Sequence, residues 1–427
     1  MVTAIYFLIY NLLVYPLAFA VFHIYALFNR KFRRGIAGRY RSFRRVKAFL
    51  RSLGPEKPEI FLLHCASMGE FEHARPLLRA LKAQRPESRT VVMFFSPSGY
   101  ENVKSAPGVD LFIYAPFDWW WPVRRLFRAL RPRALLIAKY DVWPNQLWMA
   151  RSLKIPTLLL NATLQKTSGR LHPALRWFQR TLYRRLTRIL TISETDRDNY
   201  LRLARAEAVI AVGDTKYDQV ISRAEESRAT LPLPSAVCQG KRIFVAGSTW
   251  PEDETHLLPA LRQLHRSYGD LLTIICPHEP TPAHLAQLSD ALLPLRGCRL
   301  SQLDHYRGEP VIVIDRIGIL ANLYALARAA YVGGSFKQNI HNVLEPAVYG
   351  IPVLFGPVNR NSHEAQLLKA AGGGLEVHSE AEIRTALEKI FSEEDYRRQT
   401  GEAARQLVEA HRGATARTVE EILKRLE

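Results

Sequence analysis

Cysteine is scarce, with four in 427 residues, at Cys65, Cys238, Cys276 and Cys298. They lie far apart and form no C-x-x-C pair, which excludes a disulfide-stapled scaffold and a zinc ribbon and fits reduced, mostly buried thiols. No G-x-G-x-x-G follows the first predicted strand and no Walker-type lysine loop occurs, which argues against a dehydrogenase or an NTPase. Zinc-finger spacing, an aromatic RNP-type strand and an evident DNA-reading helix are also missing, so no nucleic-acid partner is expected. There is no repeat of solenoid period and no low-complexity tract. Acidic residues are missing from one whole region, since none precedes Glu56.

Within that acid-free stretch, residues 1–29 carry no charged side chain if His23 is neutral, and ten lysines and arginines follow from Arg30 to Arg51. The apolar run from Ala4 to Phe28 can cross a hydrocarbon core about 30 Å thick, for which roughly 20 helical residues suffice. Its basic flank belongs on the cytoplasmic side by the positive-inside rule. A cleaved signal peptide would instead carry its charge before a shorter apolar region. The expectation is an uncleaved anchor that leaves the rest of the chain cytosolic. Asn11, Pro16, His23 and four tyrosines interrupt the run and leave open a helix lying in the interface or packed on the body of the protein. A net charge of +19 asks for a partner of opposite sign. Anionic lipid fits, because each arginine near such a surface contributes about 1 kcal/mol of attraction.

Beyond residue 29, strands and helices alternate, which predicts an α/β fold with parallel sheets covered on both faces. Short apolar runs at 60–63, 90–95, 134–138, 243–246, 271–275 and 330–332 read as strands, and Ala74, Leu77, Leu78 and Leu81 follow the spacing of a buried helix face. The polar stretch 221–241, with two prolines, interrupts this grammar and reads as a linker. The predicted organisation is an anchor over 1–29 and two doubly wound, Rossmann-like domains over 30–225 and 226–427, facing one another across a cleft. Ligands of such sheets bind beyond the carboxyl ends of the strands, so the loops there carry the candidate residues.

The first strand runs through H-C-A-S-M-G-E into a helix, which puts Glu70 at a helix N-terminus. The dipole there favours an ionised carboxylate able to accept a proton; an ordinary first-turn acid is the plainer explanation. Glu72 and His73 are its neighbouring competitors. Farther on, a strand enters Gly333, Gly334 and Ser335, whose small side chains would let backbone amides approach a phosphate. His341, Asn342 and then Glu345 follow, and Glu345 could accept hydrogen bonds from ribose hydroxyls. Lys216 in G-D-T-K-Y-D is a cleft cation or a solvated lysine, and Pro277 with His278 ends another strand. Ser248 to Glu254 reads as a capped helix start and not as a metal site. Asp196 and Asp198 match a D-x-D pattern but fall in a predicted helix start, where capping and surface charge explain them.

Six segments, H-C-A-S-M-G-E, F-F-S-P-S-G-Y-E, K-Y-D-V-W-P-N, N-A-T-L, G-D-T-K-Y-D and G-G-S-F-K-Q-N-I-H-N-V-L-E-P, occur in this order over nearly the whole chain. Together they resemble the 3-deoxy-D-manno-octulosonic acid (Kdo) transferases of lipopolysaccharide synthesis. The resemblance implies a GT-B fold and an inverting glycosyltransferase that moves Kdo from CMP-Kdo to the lipid A precursor at the cytoplasmic face of a bacterial inner membrane. No metal and no further cofactor is implied. Carried over by motif, Glu70 is the general base and Lys216 stabilises charge in the transition state. Pro277, His278, Ile317, Gly318, Ile319, Asn342, Val343, Leu344 and Glu345 form the CMP site. Where many members have E-T-E-L-W-P-N, this chain has Lys139, Tyr140 and Asp141, so the first glutamate, taken as a transition-state stabiliser, is a lysine; a K-Y-E-like form resembles one branch. Ile317, Gly318 and Ile319 replace an M-G-E, so contacts there come from backbone groups.

Two other readings stay open on sequence alone. One is another two-domain sugar-nucleotide enzyme, such as a lipid-directed hexosaminyltransferase or a nucleotide-sugar epimerase. The other is a non-catalytic, basic membrane-surface protein. The run Asp118, Trp119, Trp120, Trp121, Pro122 suits docking at a lipid interface, an acyl-chain path or core packing.

Overall fold

The computed structural model describes residues 2–55, 58–103, 105–227 and 232–426. The chain forms two compact units, Met1–Gln219 with Gly413–Glu427, and Val220–Arg412. Each is built on a seven-stranded parallel sheet.

In the first unit the strands are β1 (Ile60–Cys65), β2 (Arg89–Phe94), β3 (Leu111–Tyr114), β4 (Ala134–Ala138), β5 (Thr157–Ala162), β6 (Arg188–Thr191) and β7 (Val209–Ala211), in the order β3-β2-β1-β4-β5-β6-β7. All residues of β1, β4 and β5 are buried, as expected of strands covered on both faces, and this is why they read as unbroken apolar runs. The order reverses between β1 and β4, so the crevice for a ligand lies outside their carboxyl ends. The helix after β1, Met68–Gln84, buries Ala74, Leu77, Leu78 and Leu81 as their spacing predicts.

The second unit holds β8 (Arg242–Thr249), β9 (Leu271–Pro277), β10 (Gly297–Arg299), β11 (Val311–Val313), β12 (Ala329–Val332), β13 (Val353–Phe355) and β14 (Gly374–Glu376), in the order β10-β11-β9-β8-β12-β13-β14. Here the order reverses between β8 and β12.

The expected boundary at 225/226 and the assignment of the whole C-terminus to one domain both differ from what is seen. The stretch taken as a linker is helical through Ser227, residues 228–231 lie outside the described residues, and Ser235–Cys238 is a short helix. After Gly413 (φ 94°) the chain returns to the first unit, where the helix Ala414–Leu423 buries Val419 and Ile422 in the same apolar cluster as Leu77 and Leu78. The Asp218 carboxylate holds that return by accepting from the amides of Gly413 and Thr415, at 2.7 and 2.6 Å.

Among the described residues one helical stretch, Ala4–Phe28, is long and apolar enough to cross a membrane. It is α-helical at both ends, with a π-helical turn at Tyr10–Val14, and Asn29 ends it by capping the following basic helix Arg30–Ser52. Asn11, Tyr6, Tyr10 and Tyr15, among the polar residues that interrupt the run, attach it to the first unit. Asn11 and Asn145 exchange amide hydrogen bonds of 2.9 and 3.1 Å, and the Tyr10 hydroxyl donates to Asp118 at 2.9 Å. The Asp118 amide donates to the Tyr15 hydroxyl at 2.6 Å. Ring contacts extend the docking, from Tyr6 on Phe178 through Phe7 on Trp148 to Phe19 on Phe117. Leu12, Leu17, Leu27 and Phe28 face outward. The tryptophan run divides between its readings: Trp119 packs on Tyr15 and Phe19, while Trp120 and Trp121 are exposed.

Candidate functional site

In the first unit the candidate residues gather at the tips of β1, β4 and β5. Glu70 stands in the first turn of Met68–Gln84, and its carboxylate reaches back to accept the Ala66 N–H at 2.6 Å. It is 6% exposed. Burial pushes its pKa above the ordinary value, against the Ala66 amide and the charges of Lys139 and His64. The helix dipole alone predicts a readily ionised acid; desolvation instead makes Glu70 a stronger proton acceptor once ionised.

Lys139 and Asp141 lie close to it. Lys139 follows β4 with φ 55°, in the left-handed region, and lines a small pocket with Glu70, His73, Asn161 and Thr215. Asp141 accepts from Nε2 of the fully buried His64 at 2.7 Å. Burial alone would raise the Asp141 pKa, but the hydrogen bond and the charge of His64 hold it below the usual range. Lys216 begins a helix, its amide donating to Asp214 at 2.9 Å. It adjoins Thr215, whose hydroxyl donates to the His73 carbonyl at 2.8 Å and accepts from Asn161. Sequence reasoning missed His64, Asn161 and Thr215 as members of this cluster. N-A-T-L and G-D-T-K were visible, but not that an Asn161–Thr215 hydrogen bond joins them.

The second unit places its candidates at the tips of β8, β9 and β12. His278 stacks between Trp250 and His341, with ring centroids 5.0 and 4.1 Å away. Trp250 donates its indole N–H to His341 Nε2 at 3.1 Å, and burial together with His278 pulls the His341 pKa down to about 4, so this imidazole is neutral at pH 7. Glu345 pairs with Arg223 at 3.3 Å. Burial raises its pKa, opposed by Arg223 and Asn342. The Asn342 side chain accepts from the Leu344 amide at 3.1 Å, at the start of the short helix Leu344–Ala347, and Val343 and Leu344 pack inward, so these two offer only backbone. Ile317 is exposed and Gly318 has φ 95°, a turn that presents backbone, with Ile319 at the start of the next helix. Pro277 is buried at the end of β9.

The glycine loop corrects its reading as a phosphate cradle. The Gly333 amide donates to Gly247, and a Cβ on Gly333 would stand 2.2 Å from the Ser248 carbonyl oxygen. The Gly334 amide donates to the Asp253 carboxylate at 2.8 Å. The buried Ser335 hydroxyl is shared among Tyr331, Val332 and the Gly356 amide. These groups serve the close approach of two strand ends, and Asp253 occupies the place foreseen for an anion. Its carboxylate also closes a capping box with the Trp250 amide, as expected of this helix start.

A family model described as 3-Deoxy-D-manno-octulosonic-acid transferase (kdotransferase) matches residues 38–219. The chain is 26% identical over 419 residues to the 3-deoxy-D-manno-octulosonic acid transferase of Haemophilus influenzae, covering 96% of both chains. To that of Aquifex aeolicus it is 28% identical over 341 residues, covering 77% of this chain and 85% of the relative. To that of Chlamydophila psittaci it is 29% identical over 365 residues, covering 80% of each. Among solved structures, the UDP-GlcNAc 2-epimerase of Neisseria meningitidis bound to UDP-GlcNAc superposes with a TM-score of 0.61 at 16% identity, over 86% of this chain and all of that one. A glycosyltransferase from Rickettsia africae gives 0.56 at 10%, over 87% of this chain and 99% of that one. At such identities the solved structures show the fold, a GT-B pair of Rossmann-like sheets.

Proposed function

We propose that the chain, which is similar over most of its length to 3-deoxy-D-manno-octulosonic acid transferases, is a glycosyltransferase of that kind and moves Kdo from CMP-Kdo to a hydroxyl of the lipid A precursor, with inversion at the anomeric carbon. The observation that carries the reading is the buried Glu70 carboxyl at the switch-point strand, with proton affinity raised by burial and a lysine beside it. An acceptor hydroxyl must lose its proton as it attacks, and a positioned carboxylate whose proton affinity burial raises is suited to take it. The departing CMP phosphate needs positive charge or N–H donors. In the second unit the backbone turn at Ile317, Gly318 and Ile319 supplies N–H donors in this reading; Lys216, in the first unit, stabilises charge in the transition state, and no metal ion is used. On the donor side, the stack of Trp250, His278 and His341 offers flat faces to a pyrimidine, and Asn342 and Glu345 offer polar partners to the ribose.

The apolar helix and the basic helix after it would hold the enzyme at the cytoplasmic face of the inner membrane, among anionic lipids, where its acceptor resides. Incubating purified protein with CMP-Kdo and lipid A precursor, and reading product masses, tests the assignment. Addition of Kdo is the expected result. Transfer from a UDP-sugar with none from CMP-Kdo would overturn it.

A further inference from the structure

A cavity of about 210 Å³ lies in the first unit, between the N-terminal helices and the segments that follow β2, β3 and β4. It is larger than the roughly 150 Å³ apolar cavity that takes up a benzene-sized guest. Its walls are mainly Phe22, Phe32, Ile36, Phe95, Phe117 and Trp143. Two cations border it. Lys31 is exposed, and Arg39 lies over the Phe95 ring at 4.8 Å, donates to the Phe95 carbonyl and has no carboxylate partner among the described residues. One acid lines it, Asp118, whose carboxylate is taken by the Tyr10 hydroxyl and the amides of Asn145 and Gln146 at 2.9, 3.1 and 3.2 Å.

This cavity adjoins the Glu70 cluster. Ser96, in its wall, donates its amide to the Ala66 carbonyl at 2.9 Å, and the Ala66 amide donates to Glu70. Gln146, also in the wall, sits 3.5 Å from Nδ1 of His64, whose other nitrogen holds Asp141. The remaining wall belongs to the helix whose outward side presents Leu12, Leu17, Leu27 and Phe28. An apolar hollow bordered by two cations that have no carboxylate partner among the described residues, walled in part by a helix with an apolar outer side and sharing a wall with a buried base, suits an anionic lipid with one chain inserted.

Resting on the proposed lipid acceptor, we infer that this cavity receives one acyl chain of the acceptor, with Lys31 and Arg39 pairing with its headgroup phosphate. The anchor is thereby one wall of the acceptor subsite as well as a tether. The test uses the full-length protein in nanodiscs with CMP-Kdo, comparing the acylated acceptor with the same headgroup carrying chains of only a few carbons. Wild type should favour the long-chain acceptor by at least about tenfold in kcat/KM, since each further methylene buried adds to binding. Ile36→Trp fills the cavity and should collapse that ratio mainly through KM, whereas Phe22→Ala widens it and should shift the preference toward longer chains.

An acceptor analogue with a photoreactive group at the chain end should label the segments around Phe32 to Arg39 or Phe95 to Pro97, and Ile36→Trp should abolish that labelling. An unchanged preference in both variants, label spread over the outward side of the anchor, or equal labelling by phosphatidylglycerol of matched chain length overturns the inference. If wild type transfers no Kdo at all, the functional assignment fails, while the labelling still decides whether the cavity takes the chain.

Discussion

Replacing Glu70 by glutamine removes the proposed base and keeps its shape. The side chain is 6% exposed and accepts the Ala66 N–H at 2.6 Å. A glutamine carbonyl can accept the same bond, so the start of the helix survives. Burial raises the carboxyl pKa in the folded protein. The folded state therefore holds a proton over a pH window in which the unfolded chain has lost it. The group's contribution to stability is present below the unfolded value and is lost as pH rises toward the folded one. At neutral pH the ionised carboxylate is a burden that glutamine lacks, so Glu70→Gln should melt at the wild-type temperature or above it. Turnover should behave in the opposite way. A positioned acid or base contributes about 10²- to 10⁴-fold, which at 1.36 kcal/mol per decade is about 2.7–5.4 kcal/mol of barrier. The loss should fall on kcat, with CMP affinity kept. Steady-state transfer from CMP-Kdo, calorimetric CMP binding and a melting curve read the three quantities. In wild type, the acid limb of kcat/KM should sit above the ordinary carboxylate range. Turnover of the variant within about threefold of wild type, far inside the span of base catalysis, would refute the assignment. So would a loss of activity that came with a lower melting temperature, because the residue would then be structural.

Three further outcomes follow from the same geometry. Gly333→Ala drives a Cβ to 2.2 Å from the Ser248 carbonyl oxygen and 2.8 Å from the Thr249 Cα; both are backbone, so the loss should exceed the about 1–3 kcal/mol of ordinary overpacking and show as a fall in melting temperature. Asn11→Leu strips the buried Asn145 of its amide partner and should cost about 1–3 kcal/mol in detergent unfolding, part of which a leucine at both positions should restore. Arg223→Ala leaves the Glu345 carboxylate without its cation and should raise the Kd for CMP about tenfold, equivalent to 1.4 kcal/mol; an unchanged Kd would remove this pair from donor binding.

The strands and the buried face of Met68–Gln84 were legible because periodicity is a local property, and each run carries its own signal. Partners are not local. Val419 and Ile422 mark an apolar face of the last helix, yet nothing in that face names the neighbour it covers, so the return of Gly413–Glu427 to the first unit had no sequence signature. The glycine loop shows the same gap. Two small residues announce that something comes close, and a phosphate and a neighbouring strand are equally good candidates until Ser248 is seen above Gly333. In the N-terminal apolar helix, Asn11 and the tyrosines read as flaws in a spanning segment. Asn11, Tyr10 and Tyr15 are points of attachment to the first unit, because a polar group inside an apolar stretch is tolerated where a partner such as Asn145 or Asp118 satisfies it.

The Glu70 cluster carries a further cost that no motif reveals. Lys139 and Asn161, at the ends of the neighbouring strands β4 and β5, both take left-handed backbone, with φ 55° and 48°. Such conformations in residues other than glycine cost of order 1–3 kcal/mol each. Folding alone would be better served by glycine at either place. Asn161 is held by its side-chain bond with Thr215. Lys139 is held through its amide on the Leu160 carbonyl at 2.7 Å, and its side chain shares a pocket with Glu70. There its charge opposes the effect of burial on the carboxyl, limiting how far the Glu70 pKa rises. Glycine would relieve the strain and remove that restraint together. The strained lysine therefore links backbone geometry to the proton affinity of the proposed base: Lys139→Gly should stabilise the fold while moving the acid limb of the pH–rate profile upward, a pairing that a merely structural lysine would not produce.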